Sequence, residues 1–384
     1  MRYAIVTETY PPEVNGVALT VQALERGLRA RGHQVRVVRP QLAADDDTTE
    51  DADTGTRFVR GAALPRYPGL RFGLPAPRKL RQYFKEFAPD AIYVATEGPL
   101  GWSALRAARA LDIPVATGFH TRFDRYMRDY ALPFMERVAL GWMRAFHNRG
   151  QATLVPTRQL QDELQAAGFA NVVRLARAVD TQQFDPAYRD EVLRAHWCAG
   201  QGPSVIHVGR IAAEKNLDLL VRAFRALQQR CPGARLIWVG DGPQRAALAK
   251  AHPDFIFCGV QRGAALARHF ASADLFLFPS LSETFGNVTL EAMASGVPTI
   301  AFDYGAAREH LRDGAHGALA QDEASFIAAA VAVGADHALR ARMALCARDA
   351  VLHLHPAQVA ADFDQILHHL AGQARSVHEH VATA

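Results

Sequence analysis

The chain has little cysteine: four in 384 residues, Cys198, Cys231, Cys258 and Cys346, with no C-x-x-C pair among them. That spacing argues against a zinc ribbon and a disulfide framework, and leaves small side chains suited to burial. Long apolar runs are equally scarce. The opening "MRYAIVTETYPP" has an apolar stretch of only Tyr3 to Val6, too short for the core of a secretory signal. No segment reaches the roughly 18 uncharged apolar residues of a membrane span. A cytoplasmic location is the expectation. No G-x-G-x-x-G follows the first strand of either half, and the glycines of "VGDGP" (Val239 to Pro243) have the wrong spacing. A dinucleotide-dependent dehydrogenase is thereby disfavoured. Acidic residues concentrate in "AADDDTTEDADTG" (Ala43 to Gly55), whose Asp45-Asp46-Asp47 run reads as a solvated loop rather than a metal site.

What is present is ordinary for a folded, water-soluble protein: 49% hydrophobic and 21% charged residues, over a length that suits two domains. Charge is unevenly placed. Residues 1–190 carry 26 Lys and Arg against 21 Asp and Glu, whereas residues 191–384 carry 17 against 18. The basic excess of the first half points to an anionic partner there. Strand-like and helix-like segments alternate along both halves. In the first, "YAIVTE", "QVRVVRP", "PDAIYVAT", "PVATGFHT" and "ATLVPT" read as strands between amphipathic helices such as Val17 to Arg31. A linker at roughly 185–203 leads to a second series, with strands at "SVIHVGR", "ARLIWVGDG", "DFIFCGV", "LFLFP" and "PTIAF". The pattern predicts two doubly wound α/β domains, 1–190 and 200–355, and a C-terminal helix and tail over 356–384. Asp336 to Ala371 reads as helical.

Ligands of such sheets bind beyond the C-terminal ends of the strands, so chemistry is expected in the loops that follow them. After "SVIHV", the stretch "GRIAAEKN" sets Arg210 and Lys215 five residues apart in a strand-to-helix connection. A guanidinium fork and an ammonium point charge together suit a diphosphate. In "FPSLSETFGNVTLEAMASG" (Phe278 to Gly296), Gly286 stands where the chain enters a helix predicted over Asn287 to Ala294. Lacking a Cβ, it lets a ligand come close to the backbone. The amides of Asn287 and Val288 are then first-turn donors at the positive end of the helix dipole. Glu291 lies about one turn into the helix and Glu283 on the loop leading in. Carboxylates beside an anion site serve as acceptors for hydroxyl groups, so the pattern calls for a sugar attached to a nucleoside diphosphate. Taken alone, the glutamates equally fit a helix cap and a surface carboxylate, and the two cations fit a solvated loop.

The segments "SETFGNVTLEAMASGVP" and "GRIAAEKNLDLLVRAF" together resemble the retaining glycosyltransferases of family 4, which have the GT-B fold. "ETYPPEVNGVALTVQALERGLRARGH", "TEGPLGWSALRAARALDIPV", "GFHTRFDRY" and "AVDTQQFDP" resemble the same family in the same order. The likeness covers residues 1 to about 370 and is strongest to bacterial members that glycosylate lipids or form mannosyl linkages. It implies two Rossmann-like domains facing a central cleft, with the C-terminal helices crossing back to the first. By the same likeness, Gly16 lies close to the donor phosphate and the acceptor. Asn15 stands where many members have another glycine, a mild departure because Asn tolerates unusual backbone angles. Arg210 and Lys215 neutralise the leaving diphosphate, Glu283 sits at the reacting sugar, and Glu291 holds the ribose hydroxyls. Gly286, Asn287 and Val288 supply backbone donors, and His120 hydrogen-bonds the donor sugar. Ala178 replaces a glycine usual before Val-Asp, and Asp180 is expected to be structural. The implied reaction moves a hexose, mannosyl or glucosyl, from a nucleoside-diphosphate sugar to a lipid or glycan acceptor. It retains configuration and needs no metal or other cofactor, because two cations and a helix N-terminus stabilise the leaving charge.

Two rival readings remain: a nucleotide-sugar 2-epimerase, which lacks the Arg-x4-Lys and E-x-F-G combination, and a non-catalytic sugar-nucleotide-binding subunit, which would have degraded site residues. The base is not readable; Gln261-Arg262-Gly263 offers no carboxylate for a guanine edge, which mildly disfavours GDP. Between Arg57 and Lys85 the chain carries eight basic residues (Arg57, Arg60, Arg66, Arg71, Arg78, Lys79, Arg81, Lys85) and no acid, interleaved with Phe58, Tyr67, Phe72, Tyr83 and Phe84. Such a stretch suits an anionic membrane surface and equally an ordinary Arg-rich helix face. No nucleic-acid motif accompanies it.

Overall fold

The computed structural model describes all residues except 14, 43–49, 52–54, 64–70, 121–132, 198–201, 282 and 383–384. The Asp45–Asp47 run, Arg66, Tyr67 and Cys198 lie outside the described residues. The chain divides into two compact units, Met1–Ala176 with Pro356–Ala384, and Arg177–His355.

The first unit runs β1 (Arg2–Val6), α1 (Gly16–Ala30), β2 (Gln34–Pro40), β3 (Glu50–Asp51), β4 (Thr56–Val59), β5 (Gly61–Ala63), β6 (Arg71–Gly73), α2 (Pro77–Phe87), β7 (Ala91–Val94), α3 (Pro99–Arg109), β8 (Val115–Gly118), α4 (Pro133–His147), β9 (Ala152–Val155), α5 (Arg158–Ala166) and β10 (Val172–Arg174). Its main sheet has the order β10-β9-β8-β7-β1-β2-β4-β3, parallel except for the short β3, and β5 and β6 form a separate hairpin. β7, β8 and β9 are buried along their whole length, as a parallel sheet covered on both faces requires. Because β7 returns to the far side of β1 from β2, the order in which strands are added to the sheet reverses between β1 and β7, which makes a topological switch point.

The second unit runs α6 (Glu191–His196), β11 (Ser204–Val208), α7 (Leu217–Arg230), β12 (Arg235–Val239), α8 (Arg245–Ala251), β13 (Ile256–Phe257), α9 (Gly263–Ala271), β14 (Leu275–Phe278), α10 (Asn287–Ala294), β15 (Thr299–Phe302), α11 (Gly305–His310), β16 (Gly317–Ala320), α12 (Glu323–Ala335) and α13 (His337–Val351). Its parallel sheet has the order β13-β12-β11-β14-β15-β16, so the switch point falls between β11 and β14. On α7, Leu217, Leu220, Phe224 and Leu227 recur at helical spacing and are all buried.

Three expectations differ from the structure. The expected first boundary at about 190 lies past the observed break, and part of the expected linker is ordered in the second unit. Val179, Phe184 and Trp197 belong to that unit's core, and Arg348 on α13 binds the Asp185 carboxylate and the carbonyls of Phe184 and Ala294. Second, the helix expected over Asp336 to Ala371 is broken after α13; the following helix α14 (Pro356–Ala382) packs in the first unit against α1 and β7, as the resemblance implied. Third, Tyr83 and Phe84 are core residues of α2, while Arg78, Lys79, Arg81 and Lys85 are exposed. The helix is amphipathic, so its cations face water and its aromatic residues do not. Among the described residues no helix is long and apolar enough to cross a membrane.

One carboxylate anchors α14. Asp364 accepts hydrogen bonds from Tyr3 Oη (3.1 Å) and Arg31 Nε (2.8 Å), and pairs with His33 Nε2 at 2.9 Å. Burial pulls its carboxyl up, but these partners together hold it below the usual carboxylate range. Its contribution is therefore present above pH about 4 and lost as pH falls through the depressed value. Asp364→Ala is expected to lower stability by about 2 kcal/mol in urea unfolding at neutral pH, and by less at acid pH.

Candidate functional site

In the second unit, the loops after β11 and β14 meet across the switch point. Beyond β11, Arg210 precedes a short 3-10 turn (Ala213–Lys215), and Asn216 takes a left-handed conformation (φ 55°) that lets α7 start immediately. Lys215 Nζ forms a close ion pair with Glu283 Oε1, and Ser280 Oγ donates to the same oxygen at 3.0 Å. Both charged side chains are largely buried, at 15% and 21% exposure. The arginine, by contrast, is open to water: Arg210 is 45% exposed and lies 3.5 Å from Glu214 Oε1. Two residues expected in separate roles, Lys215 and Glu283, are thus direct partners.

The turn into α10 is made by Gly286, at φ 91° and ψ 64°. An L-residue is strained there, and a Cβ would also press on the Phe278 ring at 3.1 Å. Gly286 is the N-cap and brings no side chain, so no side chain caps the first-turn amides of Asn287 and Val288. Glu291 follows one turn later. Its Oε2 is buried and has no hydrogen-bond partner, and burial pushes its carboxyl up to about 7. His207, which the sequence reading passed over, lies on β11 and is fully buried. Its Nδ1 faces the Leu277 carbonyl at 3.1 Å and its Nε2 has no partner. Burial lowers it to about 4, so it is a neutral imidazole next to the ion pair, whose two charges act on it in opposite directions.

In the first unit, the loops after β1 and β8 carry the expected residues Gly16 and His120. Asn15 is the N-cap of α1 in ordinary extended backbone (φ −149°), and its Oδ1 accepts from Val17 N and Ala18 N. The expected tolerance for unusual angles is not used; Asn15 occupies the first-turn amides itself, next to an exposed Gly16. Across this switch point Glu8 accepts from Gly73 N and from Leu100 N (2.9 Å) and tops the N-terminus of α3. Burial pushes Glu8 up to about 7, even though backbone donors oppose it. His120 stands two residues past β8. Its Nε2 is 2.7 Å from Tyr93 Oη, and Tyr93 in turn meets Phe363 of α14 edge-to-face at 5.0 Å. Gly118 makes this approach possible, because a Cβ there would collide with Tyr93 Oη. In the second unit, Asp180 is a turn residue whose Oδ1 accepts from Gln182 N and Gln183 N. Glu8 and Tyr93 carried a signal only as part of "ETYPP" and of a buried strand. Among the described residues no group of three His, Cys, Asp or Glu is placed to hold a metal ion.

Two outcomes follow. Glu291's raised carboxyl costs stability progressively as pH rises from about 4.5 through about 7, by up to about 3 kcal/mol. Glu291→Gln is therefore expected to melt higher than the unaltered protein at pH 8 and to match it at pH 4, by calorimetry. Tyr93→Phe is expected to leave the fold intact and remove the hydrogen bond at His120 Nε2, seen as a shifted Nε2 resonance in imidazole nitrogen NMR.

Comparisons with known proteins follow the two units. The model described as Glycosyltransferase Family 4 matches residues 14–183, and that described as Glycosyl transferases group 1 matches residues 202–336. A GDP-mannose-dependent alpha-mannosyltransferase of Mycobacterium tuberculosis (strain CDC 1551 / Oshkosh) is 37% identical, covering 80% of this chain and 81% of that protein. An alpha-monoglucosyldiacylglycerol synthase of Streptococcus pneumoniae (strain ATCC BAA-255 / R6) is 27% identical over 78% and 71% of the respective chains. Among solved structures, sucrose-phosphate synthase from Thermosynechococcus elongatus superposes with a TM-score of 0.79 at 20% identity, covering 97% of this chain and 99% of that one. The chain belongs to glycosyltransferase family 4: it is a glycosyltransferase with the GT-B fold.

Proposed function

We propose that the protein is a retaining, metal-independent hexosyltransferase that moves a mannosyl or glucosyl group from a nucleoside-diphosphate sugar to a lipid or glycan acceptor. The observation that carries this reading is the pairing of Lys215 with Glu283 beside the uncapped start of α10. A diphosphate arriving there competes for Lys215, with Arg210 and the amides of Asn287 and Val288 as its other donors. Glu283, released from its partner, accepts hydroxyls of the sugar, and Glu291 accepts those of the ribose. On this reading Gly16 and His120 contribute to donor binding from the first unit, His120 through the sugar. The bond from the anomeric carbon to the diphosphate oxygen breaks, and the bond to the acceptor oxygen forms on the same face. The acceptor's proton passes to the leaving phosphate, so a nucleoside diphosphate and a glycoside are the products. The charge that develops on the leaving group is met where it forms by fixed donors, without the reorganisation that water would need.

GDP-mannose is the first donor to test, because the relative from Mycobacterium tuberculosis carries that dependence in its name, although Gln261-Arg262-Gly263 offers guanine no carboxylate. The name of the pneumococcal relative favours a lipid acceptor. The enzyme would then work peripherally on the cytoplasmic face of a membrane, with the exposed cations of α2 toward the lipid.

A thermal-shift panel of GDP, UDP, ADP and their hexose conjugates tests the donor; the matching nucleotide raises the melting temperature. Its affinity is expected to rise about tenfold between pH 6 and pH 8 as Glu291 ionises, and Glu291→Gln should flatten that rise. Equal affinities at both pH values in the unaltered protein would remove Glu291 from the ribose.

A further inference from the structure

We propose that the outward face of α2, α3 and α4 is a docking surface for an anionic lipid bilayer, with the Trp142 indole as the group that inserts. The proposal rests on the lipid-acceptor reading and places its contact on a helix, α4, outside the basic stretch 57–85. Within the first unit, the inner side of α4 is closed: Met143 and Phe146 are fully buried, and Phe146 meets Trp102 of α3 at 5.3 Å between ring centroids. Its outer side is not. Val138 is 60% exposed and Trp142 43%, one helical turn apart on the same face. The Trp142 ring rests on Trp102 (6.1 Å) and on Phe146 (6.4 Å), and Arg149 stacks over Trp102 at 4.8 Å. The indole is thus held from beneath and bare above, which makes it a rigid apolar step rather than a loose side chain.

Among the described residues of these helices, exposed charge is mostly positive. On α4, Arg137 and Arg144 are exposed, and the one acid of the helix, Glu136, is only half-exposed. α3 exposes Arg106 and Arg109, and α2 exposes the four cations already named. The only exposed acid on the three helices is Glu86, and the face gives way at α5, where Asp162 is exposed. A spread of long cationic side chains without a groove fits a plane of anionic headgroups. The stems of such cations can bend toward phosphate while a Trp settles at the interface. Because Tyr83 and Phe84 point into the core, α2 has charge but no inserting aromatic; Trp142 supplies one.

The test uses intrinsic tryptophan fluorescence with vesicles of phosphatidylcholine and phosphatidylglycerol bearing brominated acyl chains. Trp197 and Trp238 are buried and cannot reach lipid, so quenching reports the exposed face. Quenching and a blue shift are expected at low salt and are expected to fade at high salt and with pure phosphatidylcholine. Trp142→Phe should abolish the quenching, and Arg137→Glu with Arg144→Glu should weaken partitioning about tenfold or more. Arg342→Glu, on the second unit, should change nothing. Absence of quenching in the unaltered protein overturns the proposal, as does quenching that survives Trp142→Phe. Self-association lost in Trp142→Phe, without vesicle binding, would make the face a contact between copies instead. Thermal stabilisation by nucleotide should be the same in every variant. If no nucleotide stabilises even the unaltered protein, the donor reading fails independently of the vesicle result.

Discussion

The ion pair between Lys215 and Glu283 is the contact around which the second unit's site is arranged. Its partners are 68 residues apart in sequence. They meet because β14 returns beside β11 and both loops leave the same end of the sheet. The pair keeps an ammonium and a carboxylate poised at low cost in a largely buried place, where either alone would be expensive. It also leaves the neighbouring start of α10 as the obvious place for an anion. Gly286 turns the chain without capping it, and Arg210 remains exposed nearby.

The same corner stores destabilising features. Glu291 has a buried oxygen with no partner and a carboxyl raised by desolvation, and His207 has a buried nitrogen with no partner. Neither group helps the ligand-free fold. Polar groups left unsatisfied in this way are expected where a ligand completes the hydrogen bonding. The first unit works differently. There the three side chains described above already have partners: Glu8 is met by backbone amides, Asn15 by the first turn of α1, and His120 by Tyr93. The C-terminal helix joins that unit through Phe363 against Tyr93 and through Asp364 against Tyr3, Arg31 and His33.

Much of this was legible in the sequence, for identifiable reasons. The buried strands of a parallel sheet are continuous apolar runs, and α10 began where a glycine and the residues after it placed it. The domain boundary was not legible. Residues 177–196 are rich in Asp, Gln and Arg, as a linker is, yet Arg348 binds Asp185 and the carbonyl of Phe184 and fixes them to the second unit. The basic stretch kept two readings because alternation of aromatic and basic residues in a string does not say which side of a helix each takes. At 3.6 residues per turn, Tyr83 and Phe84 fall inward and Arg78, Lys79, Arg81 and Lys85 outward.

The sequence by itself determined the element types, the paired α/β pattern and the chemical character of the site, since these depend on local periodicity, on the one residue type that tolerates a left-handed turn, and on motifs a few residues long. Only the tertiary structure decided which charges are partners, which polar atoms are left without one, and which side chains fasten the last helix to the first unit. Those are consequences of strand order. Pairing β11 with β14 brings Lys215 to Glu283, and packing α14 on α1 and β7 brings Phe363 to Tyr93 and Asp364 to Tyr3, across sequence separations that no local pattern encodes.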